Sequence, residues 1–96
     1  MPVQHIVWVK FNEGVSEEKQ QELLDAVSAL EGKIPGIQHF SIGKNFTERA
    51  KGFTHGFIVT LEDKNALMIY ADHPEHVPVA MALRDHAELM AMDFEF

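Results

Sequence analysis

A phenol, two imidazoles and two carboxylates fall within eight consecutive residues of this chain, at a point where a helical pattern breaks. Residues 70–77 read Tyr-Ala-Asp-His-Pro-Glu-His-Val, and Pro78 follows. An imidazole has an ordinary pKa of about 6.5, so His76 is suited to exchanging protons near neutral pH. The Tyr70 phenol is suited to donating a hydrogen bond to the oxygen of a developing enolate. Together the two groups suit the abstraction of a proton next to a carbonyl group.

The two prolines predict a rigid, kinked connection across this stretch. Pro74 disfavours helical geometry at His73, and Pro78 lacks the N–H group that a continuing helix would use. Rigidity matters because a general acid or base must be held within hydrogen-bond distance of its proton. A plainer interpretation is also open, in which the stretch is a corner between two helices and its histidines only cap backbone groups.

Length and composition indicate one small acidic domain. The 96 residues are 46% hydrophobic, carry 15 acidic against 8 basic side chains, and give a formal charge of −7. Because such a field repels phosphates, we expect no nucleic acid partner. Without cysteine there is neither a disulfide nor a thiol nucleophile, and we find no signal peptide and no apolar run of roughly 18 residues. We expect one domain over residues 1–96, in the cytoplasm and without membrane association.

Hydrophobic periodicity predicts the order strand, helix, strand, strand, helix, strand. The strands are predicted at 3–11, 37–44, 52–61 and 89–96. Helical spacing predicts a first helix over roughly 16–31, a short one over 66–71, and a further one after the proline corner to about residue 88. This order is typical of an α+β, ferredoxin-like fold, in which a four-stranded antiparallel sheet carries its helices on one face.

The other face of this sheet is predicted to lack a cover. Alternation places Ile6, Trp8, Phe40, Ile42 and Ile58 there, together with one side of the last strand. An apolar patch of that size exceeds the few hundred Å² that a monomer usually exposes. We therefore expect a symmetric homodimer whose two sheets pack face to face, with closure into a barrel as one outcome.

Histidines on the covered face extend the candidate site. A lone histidine on an apolar strand face is most often a satisfied core residue, and His5 and His55 each lie on such a face. Joined by Tyr70 and His76, they would form a polar cluster in an apolar chamber, which is how small-molecule sites are built. The walls of this predicted binding chamber are Val7, Val9, Leu24, Val27, Phe57, Val59 and Val79.

Other chemistries lack a matching signal. His73 and His76 have His-x-x-His spacing, but no third ligand is defined and the helical His-Glu-x-x-His signature is absent. The chain also lacks a dinucleotide fingerprint, a P-loop and a nucleophile elbow. We expect neither a metal site nor a cofactor.

Five separated segments resemble one known family. They are Val-Gln-His-Ile-Val-Trp-Val-Lys-Phe at 3–11, Lys-Ile-Pro-Gly-Ile at 33–37, Gly-Lys-Asn at 43–45, Phe-Thr-His at 53–55, and the stretch at 70–77. In order, and over nearly the whole chain, these segments resemble the stress-responsive A/B barrel (Dabb) domain family. The resemblance implies a ferredoxin-like α/β barrel that dimerises through its sheets.

The resemblance also implies roles for the candidate residues. The family includes a plant polyketide cyclase, and similarity to that member implies that His76 is the base, Tyr70 the hydrogen-bond donor and His5 a positioning group, with His55 as a further pocket residue. The implied reaction is a cofactor-independent aldol closure of a small poly-β-keto compound. The family's small plant stress proteins imply the alternative, a non-catalytic dimeric barrel that binds a small apolar ligand.

Overall fold

A four-stranded sheet with one covered and one uncovered face organises the structure. The computed structural model describes residues 1–96. Four strands, three helices and one 3₁₀ turn follow each other as β1 (Val3–Phe11), α1 (Glu17–Ser28), the 3₁₀ turn (Ala29–Gly32), β2 (Ile37–Lys44), β3 (His55–Leu61), α2 (Lys64–Asp72), α3 (His76–His86) and β4 (Ala87–Glu95). None of the helices combines the length and the apolar character needed to traverse a lipid bilayer.

The strands lie in the order β2-β3-β1-β4, and each neighbouring pair is antiparallel. In the centre of the sheet His5 is paired with Val59 on one side and with Asp93 on the other. This sheet with its helices confirms the predicted ferredoxin-like α+β fold. Because paired residues in adjacent strands point to the same face, the register decides which side chains meet beneath the helices.

The core lies between the covered face of the sheet and the helices. Alternate residues of β1 and β3 are almost fully buried, as their period-2 pattern predicts. The helices contribute one apolar stripe each, and Ser16 and Asp63 accept hydrogen bonds from the first turns of α1 and α2. The main buried cluster comprises Val3, Val7, Val9, Leu23, Val27, Leu30, Ile34, Phe57, Val59, Leu61, Ala66, Tyr70, Leu83 and Ala87.

A bulge in β2 overturns one part of the predicted alternation. The register shifts between Ile37 and His39, so that Phe40 pairs with Val59 and Ile42 with Phe57. Phe40 stacks on Phe57, with ring centroids 5.9 Å apart. Both side chains therefore pack against the core, and their predicted place on the uncovered face was wrong. One extra residue in a strand moves every later side chain to the opposite face.

The third strand is shorter than predicted, and its expected first residues form a turn. Lys51 and Gly52 both have positive φ angles, of 53° and 89°, and the strand begins only at His55. Phe53 contacts Trp8 edge to face, with centroids 5.8 Å apart. Trp8 lies on the uncovered face. The strand predicted at 52–61 would by alternation place Phe53 on the same face as Phe57 and Val59, and that part of the prediction was wrong.

The uncovered face carries an apolar surface drawn mainly from β1 and β4. Ile6 and Trp8 are paired with Met92 and Met90, and Phe94 is paired with Gln4. Trp8 remains 41% exposed and Met92 63% exposed. The outward side of β4 therefore holds the methionines and phenylalanines that alternation predicted there. The chain itself places nothing over them.

Gly36 allows the turn before β2 to approach α2 closely. Its φ is +89°, and a Cβ at this position would lie 2.9 Å from the Cβ of Ala66. Gly14 has the same φ but open space around it. We expect Gly36→Ala to lower the free energy of unfolding by about 2–4 kcal/mol, because the strained φ and the contact both cost energy. The matched variant Gly14→Ala should lose only about 1–2 kcal/mol. Urea denaturation measures both, and equal losses would contradict a role for the Ala66 contact.

Candidate active site

A cavity of about 300 Å³ lies between the covered face of the sheet and the helices. This volume is at the lower end of the range for small-molecule sites. Its lining is mostly aliphatic, with a few polar groups supplied by β1, α2 and α3. The lining residues are His5, Val7, Val27, Leu30, Phe57, Leu67, Tyr70, Ala71, His76, Val79, Ala80, Leu83, Arg84, Leu89 and Ala91.

The proline corner sets Tyr70 and His76 beside each other. Tyr70 lies in the last turn of α2, the chain is extended at His73 before Pro74, and α3 begins at His76. The two rings are tilted by 38° with their centroids 4.2 Å apart. A reversal of only three residues between two helices therefore brings the phenol and the imidazole into contact at the cavity.

Pro78 does not break the helix as the sequence suggested. It is the third residue of α3, in the first turn, where backbone N–H groups have no partner within a helix. The kinked connection consequently covers only residues 73–75. Within it, His73 matches the plainer interpretation of the corner, since its Nδ1 accepts a hydrogen bond from the Glu75 backbone N–H at 3.0 Å.

His76 is held as a neutral imidazole. Burial lowers its pKa below 6.5, the hydrogen bond to the Ala71 carbonyl raises it in part, and the neighbouring His5, Arg84 and His73 lower it further. Its Nδ1–H donates a hydrogen bond to that Ala71 carbonyl at 3.1 Å. In this tautomer Nε2 carries the free lone pair. His76 therefore has the protonation state that a general base requires at neutral pH.

Tyr70 presents a protonated hydroxyl to the same cavity. Its side chain is only 2% exposed, and burial raises the pKa of its phenol to about 12. Every fully buried side-chain oxygen or nitrogen of the protein has a hydrogen-bond partner. The Tyr70 hydroxyl has no partner in the protein, so it is not fully buried. Its accessible surface lies within the cavity that Tyr70 lines. It is positioned to donate a hydrogen bond to a ligand.

His5 completes a run of three rings across the cavity. Its ring packs edge to face on Tyr70 with centroids 5.6 Å apart. Its Nδ1 lies 2.5 Å from Oδ1 of Asp93, which is directly opposite on β4. The carboxylate fixes the ring and the tautomer, so that Nε2 is the free nitrogen. Our sequence analysis missed Asp93, although the alternation that sends Met92 and Phe94 outward also sends Asp93 inward.

The predicted binding residues divide into two groups. Val7, Val27, Phe57 and Val79 line the cavity, as do the three candidate catalytic residues. The others are packed elsewhere in the structure. His55 contacts Phe11, with centroids 5.5 Å apart, at the opposite end of the covered face. Val9, Leu24 and Val59 are buried in the protein and do not border the cavity.

The cavity contains residues that the sequence analysis did not select. Leu89 and Ala91 come from the inward side of β4, Leu67 from α2, and Leu83 and Arg84 from α3. On α3 the members form one stripe, at positions 76, 79, 80, 83 and 84. That helical spacing was a usable signal, since the same stripe joins the apolar Val79 and Leu83 to a charged residue.

The arrangement suits acid–base chemistry on a small organic molecule. It pairs an acceptor nitrogen with a hydroxyl donor in an apolar enclosure, where hydrogen bonds are stronger than in water. No three His, Asp or Glu side chains converge in a way that would hold a metal ion. A second groove of about 460 Å³ lies on the uncovered face around Trp8, Phe53 and Ile58. His55 also lines this groove, but no tyrosine lies beside it, so the groove lacks the paired phenol and imidazole, and we take the enclosed cavity as the candidate site.

Fold and site together define a ferredoxin-like α+β domain with a small apolar cavity that carries a Tyr-His pair. The model of the stress responsive A/B barrel domain (Dabb) matches residues 3–96. The chain belongs to this family.

Individual relatives support the assignment. Stress-response A/B barrel domain-containing protein HS1 of Arabidopsis thaliana is 37% identical over 81 residues, or 82% of this chain and 74% of that protein. Olivetolic acid cyclase of Cannabis sativa is 30% identical over 97 residues, or 98% and 96%. A dimeric protein of unknown function from Bacteroides fragilis has the same ferredoxin-like fold, with a TM-score of 0.79, 26% identity and coverage of 99% and 96%.

The lowered pKa of His76 leads to a prediction for stability. The pKa of His76 is lower in the folded chain than in the unfolded one. As the pH falls through the ordinary pKa of about 6.5, the unfolded chain therefore binds a proton more readily, and the free energy of unfolding decreases. We expect the free energy of unfolding of the wild type to decrease between about pH 7 and pH 5. In His76→Asn the decrease should be smaller. Urea denaturation across this range, with NMR titration of the six histidines, checks it. A His76 that titrates at or above its ordinary pKa would contradict the proposed neutral state.

Proposed function

We propose that this protein closes a ring in a small β-keto compound by a cofactor-independent aldol reaction, with His76 as base and Tyr70 as hydrogen-bond donor. The observation that carries this proposal is the contact of the two rings, 4.2 Å apart at their centroids, at one apolar cavity. The 30% identity with olivetolic acid cyclase over nearly the full length of both chains supports it.

The steps require only these groups and the substrate. Nε2 of His76 takes a proton from the methylene between two carbonyl groups, and the electron pair moves onto the carbonyl oxygen. The Tyr70 hydroxyl donates a hydrogen bond to that enolate oxygen, where charge develops. The enolate carbon then attacks a second carbonyl carbon of the same chain, which forms the new C–C bond. The resulting alkoxide takes the proton back from His76, and loss of water follows.

His5 and Asp93 supply the positioning. The Asp93 carboxylate fixes the His5 ring, and the rings of His5 and Tyr70 pack edge to face. His5 is thus a second imidazole with a free Nε2 on the cavity, placed to accept a hydrogen bond from a substrate hydroxyl group or to relay a proton. Its position follows from the register of β1 with β4.

Substitution of the two rings tests the mechanism. We expect His76→Ala to lower turnover of a small linear poly-β-ketone by about 10²–10⁴-fold, because proton abstraction loses its base. Tyr70→Phe should lower it by about 10²–10³-fold, because the enolate loses a hydrogen-bond donor. Product formation is measured by chromatography against the spontaneous cyclisation of the same compound.

A histidine outside the cavity provides the control. His86 lies at the other end of α3, and its Nδ1–H donates to the Ala82 carbonyl of the same helix at 2.8 Å. His86→Gln should retain turnover close to that of the wild type. Circular dichroism confirms that each variant is folded. A His76→Ala variant that is as active as the wild type would remove His76 from the mechanism.

The second candidate function is non-catalytic binding of a small apolar ligand by a stress-responsive dimer. The observation in its favour is the lining of the cavity, in which 12 of 15 residues are hydrophobic. The two candidates differ in what they need from Tyr70 and His76. Ligand binding that survives Tyr70→Phe and His76→Ala, without turnover in the wild type, would favour this second function.

We also propose that the protein forms a homodimer through the uncovered faces of its sheets. The exposed row of Trp8, Met90, Met92 and Phe94 is a continuous apolar surface that a second copy would bury. The related protein from Bacteroides fragilis, which shares the fold, is itself dimeric.

Two exposed methionines form a matched test of the dimer. Met92 lies on the uncovered face and is 63% exposed, whereas Met81 lies on α3 and is 59% exposed. We expect Met92→Asp to shift the protein to monomers, since a charge in the sheet interface costs several kcal/mol without a partner. Met81→Asp should leave the dimer intact. Light scattering after size exclusion measures both, and a monomeric wild type would refute the proposal.

A further inference from the structure

Arg84 is the one permanently charged side chain among the residues that line the cavity. The remaining lining residues are apolar apart from His5, Tyr70 and His76. Arg84 is itself exposed, so its guanidinium lies at the edge of the enclosure, where the apolar lining meets water. An anionic group placed beside it there would form a charge-assisted hydrogen bond.

No carboxylate of the chain meets this guanidinium. The three ion pairs of the structure join His5 to Asp93, Lys19 to Glu22 and Lys64 to Glu95. The chain has almost twice as many acidic as basic side chains, 15 against 8. An unpaired arginine at a cavity is therefore not explained by a shortage of carboxylates. Arg84 lies in the last turn of α3, where the helix dipole favours a cation. That effect is the same on every side of the helix, so it does not explain why Arg84 lines the cavity.

The geometry of α3 directs Arg84 toward the reactive pair. Residues 76 and 84 lie on the same stripe of the helix, eight positions apart, which corresponds to roughly 12 Å along the axis. Helical side chains lean toward the N-terminus of their helix, and this direction points from position 84 along the stripe toward position 76. The lowering of the His76 pKa by the charge of Arg84 agrees with this proximity.

We propose that Arg84 binds the carboxylate of a small-molecule ligand whose apolar body fills the cavity and whose other end lies at Tyr70 and His76. The assignment of the Tyr70 end as the reactive one rests on the proposed function, whereas the binding of an acid by Arg84 does not. The planar guanidinium matches a carboxylate through two parallel hydrogen bonds. A singly charged carboxylate also suits a chain of net charge −7 better than a phosphate dianion does.

Tyr70 makes the test direct, because it is the only tyrosine of the chain. Incorporation of 3-fluorotyrosine gives a single ¹⁹F signal that reports occupation of the cavity without any turnover. The probes are 4-butylbenzoate and 4-butylbenzamide, which have nearly the same shape and differ in charge. Titration at about pH 7.5, where His76 is neutral, gives the dissociation constant for each.

We expect the wild type to bind the carboxylate about 10-fold more tightly than the carboxamide, the preference typical of a charge-assisted pair. Arg84→Gln should reduce that preference to about twofold or less and leave carboxamide binding unchanged. Arg84→Lys should keep part of it, because the charge remains while the planar fork is lost. The ¹⁹F signal and circular dichroism show whether each variant is folded. If Arg84→Gln is unfolded, the test uses Arg84→Lys in its place.

Arg49 is the matched control, as the only other arginine of the chain and one that does not line the cavity. Arg49→Gln changes the net charge equally and should keep the preference for the carboxylate. Equal binding of the two probes by the wild type, binding of neither, or equal losses in the two glutamine variants would each overturn the proposal. Binding that depends on Arg84 without turnover of any β-keto substrate would instead refute the proposed reaction and leave the acid site standing.

Discussion

Burial of Tyr70 and partial burial of His76 are the constraint on which the chemistry of this protein depends. Burial disfavours the charged form of each ring, so it raises the pKa of the phenol and lowers that of the imidazole. The two shifts differ in their consequence. A phenol is already protonated at neutral pH, and its shift to about 12 changes little. The ordinary pKa of an imidazole lies close to neutrality, so a modest lowering decides whether His76 holds a free lone pair.

The scaffold keeps these two rings in place through close backbone approaches. Only residues 73–75 separate α2 from α3, and their hydrogen bonds link the end of one helix to the start of the next, with His76 N–H donating to the His73 carbonyl at 2.9 Å. At its other end α2 is fixed by Asp63, which accepts from Ala66, and by the contact of Ala66 with Gly36. A helix of nine residues has little stability alone, so these tertiary contacts determine where Tyr70 lies.

Much of this arrangement was predictable from local patterns, because period-2 alternation in β1 and β4 and the capped start of α2 are encoded by neighbouring residues. The bulge after Ile37 was not, since the backbone shift there is decided by pairing with β3 and leaves the sequence pattern intact. Within the site, alternation and the proline corner indicated His5, Tyr70 and His76. Asp93 and His5 are 88 residues apart in sequence and meet only through the register of β4 with β1, so no short sequence motif predicts their contact.

The position of β4 connects the two faces of the sheet. It is an edge strand, and β1 is its only neighbour. Of its inward side chains, Leu89 and Ala91 line the cavity and Asp93 holds His5, while the outward side chains that alternate with them belong to the uncovered apolar face. An edge strand held on one side moves more easily than a central one. Inward and outward side chains of β4 share one backbone. Burial of the outward side chains against a second copy would therefore also fix Asp93, which orients His5.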